Sequence, residues 1–127
     1  MISIGQIFIE KHTLTQDDFN RFAKISGDDN PIHVDPVFAA RTTFGKTVAH
    51  GMFLYSLIGE CVRAHLPGAE QIAQDLMFPA PSFAGEEITV TVRVLEADAQ
   101  TVRLETSVTR PNGEIGCQGE MRVRVAR

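Results

Sequence analysis

Three side chains and one backbone position have types and spacing that suit proton chemistry. Asp28, Asn30 and His33 fall in the run Ser26-Gly27-Asp28-Asp29-Asn30-Pro31-Ile32-His33-Val34-Asp35-Pro36. A carboxylate and an imidazole on one tight loop can converge on a single water, hold it and take its proton. The imidazole works as base or acid near neutral pH, and Asn30 can fix the loop by bonding its own backbone. The same residues also have an architectural reading, in which Asp28 and Asn30 only build a turn and His33 only caps a helix. Further on, His50-Gly51 opens an apolar segment. A helix that starts there offers unpaired N–H groups and a positive dipole end. Glycine lets a ligand atom approach that backbone closely, which suits a carbonyl oxygen gaining negative charge. Alternatively Gly51 permits close packing against a sheet. His50 either donates to a neighbour or lies at the surface.

The elements that must position these groups can be read from local signals. Ile2, Ile4, Phe8 and Ile9 suggest a short strand over residues 2–9. Thr15 with Asp18 three residues later is a capping box, and Phe19, Phe22 and Ala23 follow at helical spacing. Gly27 supplies the left-handed stop, which places Asp28 just past a helix end. Pro31 keeps Asn30 out of helical angles. Asp35-Pro36 reads as N-cap and first helical residue of a short helix reaching about Thr42 and burying Phe38 and Ala39. Gly51 to about His65 forms a helix of some four turns, stopped by Leu66-Pro67-Gly68. Apolar residues cover most of its circumference, apart from a stripe of Ser56, Glu60 and Arg63. Such a helix is buried.

The remainder reads as sheet. Residues 72–78 form a strand ended by Pro79-Ala80-Pro81. Ile88, Val90, Val92 and Val94 alternate with polar residues, as do Val102, Leu104 and Val108 after a turn near Asp98. Asn112-Gly113 is a hairpin signal, and alternation resumes from Ile115 to Val125. Period-two patterning buries one face and wets the other. The expected fold is α+β: an antiparallel sheet wrapped around one long central helix, the hot-dog arrangement, as a single domain over residues 1–127. One sheet leaves much of such a helix uncovered and leaves edge strands open. A homodimer with a continuous sheet resolves both.

Composition bounds the partners. At 43% hydrophobic and 22% charged over 127 residues, the chain is ordinary for one globular domain. No apolar run reaches membrane-span length, and Met1 to Gly5 lacks the basic and apolar regions of a signal peptide. Two cysteines, Cys61 and Cys117, without a Cys-x-x-Cys, point to a reduced, cytoplasmic protein. A net charge of -4 with no basic run argues against nucleic acid. No spacing marks a metal site, and no glycine-rich phosphate loop is present.

The stretch from Ser26 to Asp35 resembles the hydratase motif of the MaoC-like family, the (R)-specific enoyl-CoA hydratases. Ala49-His50-Gly51-Met52 resembles that family's second signature, and the likeness continues through Phe78-Pro79-Ala80-Pro81 to Gly85-Glu86. The resemblance implies a hot-dog dimer acting on thioesters of coenzyme A or acyl carrier protein. Asp28 and His33 then match the catalytic pair, and Gly51 the glycine whose N–H binds the thioester oxygen. Asn30 and His50 support the loop. The thioester carrier is part of the substrate, and no cofactor or metal is required. Some members place a serine on the central helix near the pair, where this chain has Gly59. Ser56, one turn earlier, is the available substitute.

Rival readings are a 3-hydroxyacyl-ACP dehydratase, a hot-dog thioesterase using Glu60 on the helix, and a non-catalytic acyl-carrier binding subunit. Phe53, Tyr55, Ile72 and Met77 are candidates for an acyl tunnel, as are Arg41, Lys46 and Arg63 for carrier phosphates. Each also reads as plain core or surface.

Overall fold

The structure, a computed structural model, describes residues 2–125. Strand β1 (Ile7–Thr13) leads into helix α1 (Gln16–Ser26), then two single-turn helices, α2 (Pro31–Val34) and α3 (Pro36–Ala40). The long helix α4 (Gly51–His65) precedes strands β2 (Glu70–Gln74), β3 (Glu87–Ala97), β4 (Thr101–Thr109) and β5 (Ile115–Arg124). The five strands form one antiparallel sheet in the order β1-β3-β4-β5-β2. Helix α4 packs on the sheet, which makes this the hot-dog fold. No helix among the described residues is long and apolar enough to cross a membrane.

Local chemistry accounts for the helix ends. The Thr15 hydroxyl accepts from Asp18 N–H and the Asp18 carboxylate accepts from Thr15 N–H, completing the capping box. Gly27 closes α1 at φ 80°, the left-handed conformation that favours glycine. The Asp35 carboxylate accepts from the N–H groups of Val37 and Phe38 at the start of α3. α3 ends at Ala40, short of the expected Thr42. One turn has room for one inward position. Ala39 takes it, leaving Phe38 45% exposed where the sequence suggested burial.

The core lies between α4 and the inner sheet face. Leu54, Leu57, Ile58, Cys61 and Val62 of α4 meet Ile88, Val90, Val92 and Val94 of β3 and Val102, Leu104 and Val108 of β4. Ser56, Glu60 and Arg63 stay on the wet side, as the stripe indicated.

Two strands fall elsewhere than their apolar residues suggested. The first begins at Ile7, because Gly5 has φ 87° and its N–H bonds Val94 O in a turn. It runs on to Thr13, pairing in register with Glu87 of β3. The second, β2, ends at Gln74, and Ile72 is skipped where the ladder with β5 shifts between Gln71 and Ala73. Of the rest of the expected strand, Met77 makes an isolated bridge to Gln118.

Candidate active site

The loop after α1 brings Asp28 and His33 together. Asn30 caps α2 by accepting from Ile32 N–H at 3.1 Å, and its carbonyl accepts from His33 N–H at 2.9 Å. Asp28 Oδ1 lies 3.4 Å from Asn30 N–H. Asp28 Oδ2 stands 3.7 Å from His33 Nε2. That is too long for a direct hydrogen bond, yet one water can reach both atoms. The Asp28 side chain is 55% exposed and that of His33 14%.

The tautomer of His33 follows from its other nitrogen. Nδ1 lies 2.8 Å from Val48 O. A carbonyl only accepts, so Nδ1 carries the proton and the neutral ring offers a bare Nε2 towards Asp28. Gln16 supports this arrangement from α1, donating to His33 O at 2.9 Å and accepting from the Thr47 hydroxyl at 2.6 Å. Gln16 carried no sequence signal of this role, because both partners lie far along the chain.

His50 is not a surface residue. It is 2% exposed, with its ring stacked on His33 at 3.9 Å and set beside Phe22 at 4.9 Å. Its Nε2 donates to Asp28 O at 2.9 Å, so this side chain ties the Asp28 backbone to the start of α4. Burial lowers its pKa from the usual 6.5, against the raising effect of the Asp28 carbonyl. His50 Nδ1 is buried with no partner among the described residues.

Gly51 is the first residue of α4, and His50 O accepts from Phe53 and Leu54 N–H groups. Among the described residues the Gly51 N–H has no acceptor, as expected of a first-turn donor. A Cβ on Gly51 would come within 2.7 Å of the Phe78 ring. Glycine therefore serves close packing here as well as backbone access. A cavity of about 480 Å³ opens at this point, lined among others by Asp28, His50, Gly51, Met52, Phe78 and Ser82.

Other candidates fall outside it. Ser56 donates to Phe53 O at 2.6 Å and lines a different cavity, with His12, Arg21, Glu60 and Arg63. Tyr55 bonds Gln71. Lys46 sits 5.8 Å above the Phe83 ring. Ligand-capable atoms of Asp28, His33 and His50 lie within 4.8 Å of one another, close enough to hold a cation. Sequence spacing did not reveal that cluster, because the fold assembles it from separate segments. Two of its four ring nitrogens are already committed to carbonyls.

Residues 4–117 match the family model for the MaoC-like domain. The chain belongs to the MaoC-like family. Among its relatives is the 3-hydroxybutyryl-CoA dehydratase of Methylorubrum extorquens, 38% identical over 127 residues, covering 98% of this chain and 81% of that protein. The (R)-specific enoyl-CoA hydratase of Aeromonas caviae is 39% identical over 108 residues, covering 82% of this chain and 81% of that one. The unliganded R-hydratase PhaJ1 from Pseudomonas aeruginosa superposes with a TM-score of 0.95 at 32% identity, covering 99% of this chain and 83% of that one. The family's members among these relatives are hydro-lyases, and this chain is an enzyme of that type.

Proposed function

We propose that this MaoC-like hydro-lyase is an (R)-specific enoyl-CoA hydratase, adding water reversibly and syn to a trans-2-enoyl-CoA to give the (R)-3-hydroxyacyl-CoA. The observation that carries this reading is the facing of Asp28 Oδ2 and the bare His33 Nε2 across 3.7 Å, in the segment that leads to the free N–H of Gly51. The (R) sense and the coenzyme A carrier are inferred from likeness to the Aeromonas caviae hydratase.

The chemistry follows from which groups accept and which donate. An ionised Asp28 and a neutral His33 both accept, so one water donates a hydrogen to each and turns its lone pair towards C3. As the C3–O bond forms, electrons move through C2 to the thioester oxygen. The Gly51 N–H, backed by the positive end of α4, stabilises that enolate oxygen. The pair takes one proton from the water and returns one to C2 on the same face, so the enzyme ends as it began. The catalytic residues in this reading are Asp28 and His33, Gly51 is the oxyanion donor, and Asn30 and His50 position the loop. No metal or redox step is needed. The reverse direction is the dehydration of a 3-hydroxyacyl thioester.

A thioesterase using Glu60 is less well supported. Glu60 lines the cavities with His12 and Arg63, not the one with Gly51 and Asp28. Crotonyl-CoA separates the two. Hydration removes the conjugated enoyl absorbance without releasing thiol, gives the (R) product on chiral analysis, and is unaffected by EDTA. Thiol release at the same rate as loss of enoyl absorbance would overturn the proposal.

A further inference from the structure

We infer that Ser82 is a specificity residue that hydrogen-bonds the first amide of the thioester's carrier arm. The inference rests on the function proposed above. Ser82 is 1% exposed, its hydroxyl has no partner among the described residues, and it lines the same cavity as Asp28 and Gly51. A buried hydroxyl left unpaired is costly, and the cavity is the space in which a ligand would pair it. The wall around it is built for close approach. A Cβ on Gly116 would fall 2.5 Å from Ser82 Oγ and 3.6 Å from Leu54 Cδ1, so glycine at 116 is what leaves room for the hydroxyl.

The position of Ser82 selects the group it meets. Its carbonyl accepts from Ala49 N–H at 2.8 Å, and the next residue, Phe83, bridges to Val48. Phe83 N–H is held by Glu86 at 3.0 Å, and Glu86 by Arg110. Ser82 is thus fixed beside Ala49, which lies two Cα steps, on the order of 7 Å, before Gly51. In a thioester of coenzyme A or acyl carrier protein, the first amide nitrogen lies two carbons from sulfur. It is the nearest polar group on the carrier side of the reacting atoms, and Ser82 and Gly51 line the same cavity. An aliphatic acyl chain offers nothing there that a hydroxyl can bond.

Two small substrates test this: the crotonyl thioester of N-acetylcysteamine, and its oxygen analogue in which an ester replaces the amide. The parent enzyme should favour the amide in kcat/KM by about three- to tenfold, the range for one hydrogen bond. In Ser82→Ala that preference should vanish, with the ester rate unchanged. The hydroxyl accepts from the amide N–H, which the ester lacks. Ser82→Cys, of similar shape but a weak acceptor, should behave in the same way and serves if the alanine variant folds poorly. An unchanged amide preference in folded variants would overturn the role of Ser82 alone. So would a loss confined to enoyl chains bearing a hydroxyl, which would put the bond on the acyl side. Failure of the parent to hydrate either thioester or crotonyl-CoA would overturn the function itself, and this inference with it.

Discussion

The imidazoles of His33 and His50 lie face to face, with ring centroids 3.9 Å apart and planes 22° from parallel. Each ring gives its one N–H to a backbone carbonyl, His33 to Val48 and His50 to Asp28. A second positive charge in this stack is opposed by the first, and His33 is among the causes that lower the pKa of His50. The neutral state of His50 is therefore part of the fold.

This has a consequence for stability against pH. Burial lowers the folded-state pKa of His50 below 6.5, so below pH 6.5 the unfolded chain binds its proton first. Stability should fall as pH drops from about 6.5 to the depressed folded value, and level off beneath it. His50→Gln keeps an N–H donor for the Asp28 carbonyl but cannot titrate. Its melting temperature should fall less than the parent's between pH 7.5 and pH 5.5. Equal falls in both proteins would show that His50 does not contribute.

Asp28→Asn and His33→Ala should each reduce kcat by about a hundredfold to ten-thousandfold while the circular dichroism spectrum is retained. The double variant should lose little more than the worse single one, since both groups serve one water. Steady-state assays on crotonyl-CoA read this directly. Near-normal turnover in a folded Asp28→Asn protein would remove Asp28 from the mechanism.

Gly51 should prove to be an electrostatic element as well as a packing one. His50 has φ -61° and ψ 135°, angles that a residue before proline adopts readily, and proline is tolerated in a helix's first turn. Either substitution at 51 adds a Cβ that meets Phe78, so both belong in a Phe78→Ala background. There Gly51→Ala should recover much of its activity. Gly51→Pro, which lacks the N–H, should stay about 3 kcal/mol short in transition-state stabilisation, roughly a hundredfold in kcat. Equal rates for the two double variants would place the oxyanion donor elsewhere.

Assembly is the fourth expectation. Met52 and Phe78 beside the cavity, and Ile72 and Met77 in and after β2, are large apolar side chains left exposed. Edge strand β2 offers a free side for pairing. A homodimer that covers this surface should persist at micromolar concentration in sedimentation velocity. A fully active monomer there would contradict it.

Much of the frame was legible because its signals are local. Thr15, Asp18 and Gly27 bound α1 by caps alone, and Gly51 with Leu66-Pro67-Gly68 bounds α4. The alternation in β3 and β4 reports one buried face. The loop motif made Asp28 and His33 candidates, and the fold brings them together. What was missed depends on distant partners. The polar neighbours of Ile2 and Ile4 resemble a strand's alternation until the turn at Gly5 intervenes. His50 is buried only because Phe22 and His33 arrive from other segments. Ser82 lies in a stretch of Pro79-Ala80-Pro81 that reads as mere strand termination, and only the pairing of 82–83 with 48–49 places it at the cavity.

That pairing has a temporal consequence. The segment that holds Asp28, His33 and Gly51 is fixed through Val48 and Ala49, whose partners are Phe83 and Ser82. Strands β3, β4 and β5 of the sheet that α4 rests on come later still, from Glu87 onwards. On the ribosome, at about 5–20 residues per second, the whole motif is translated on the order of seconds before these partners exist. A chain arrested before Ser82 contains Asp28, His33 and Gly51 but lacks the partners that hold Val48 and Ala49 in place.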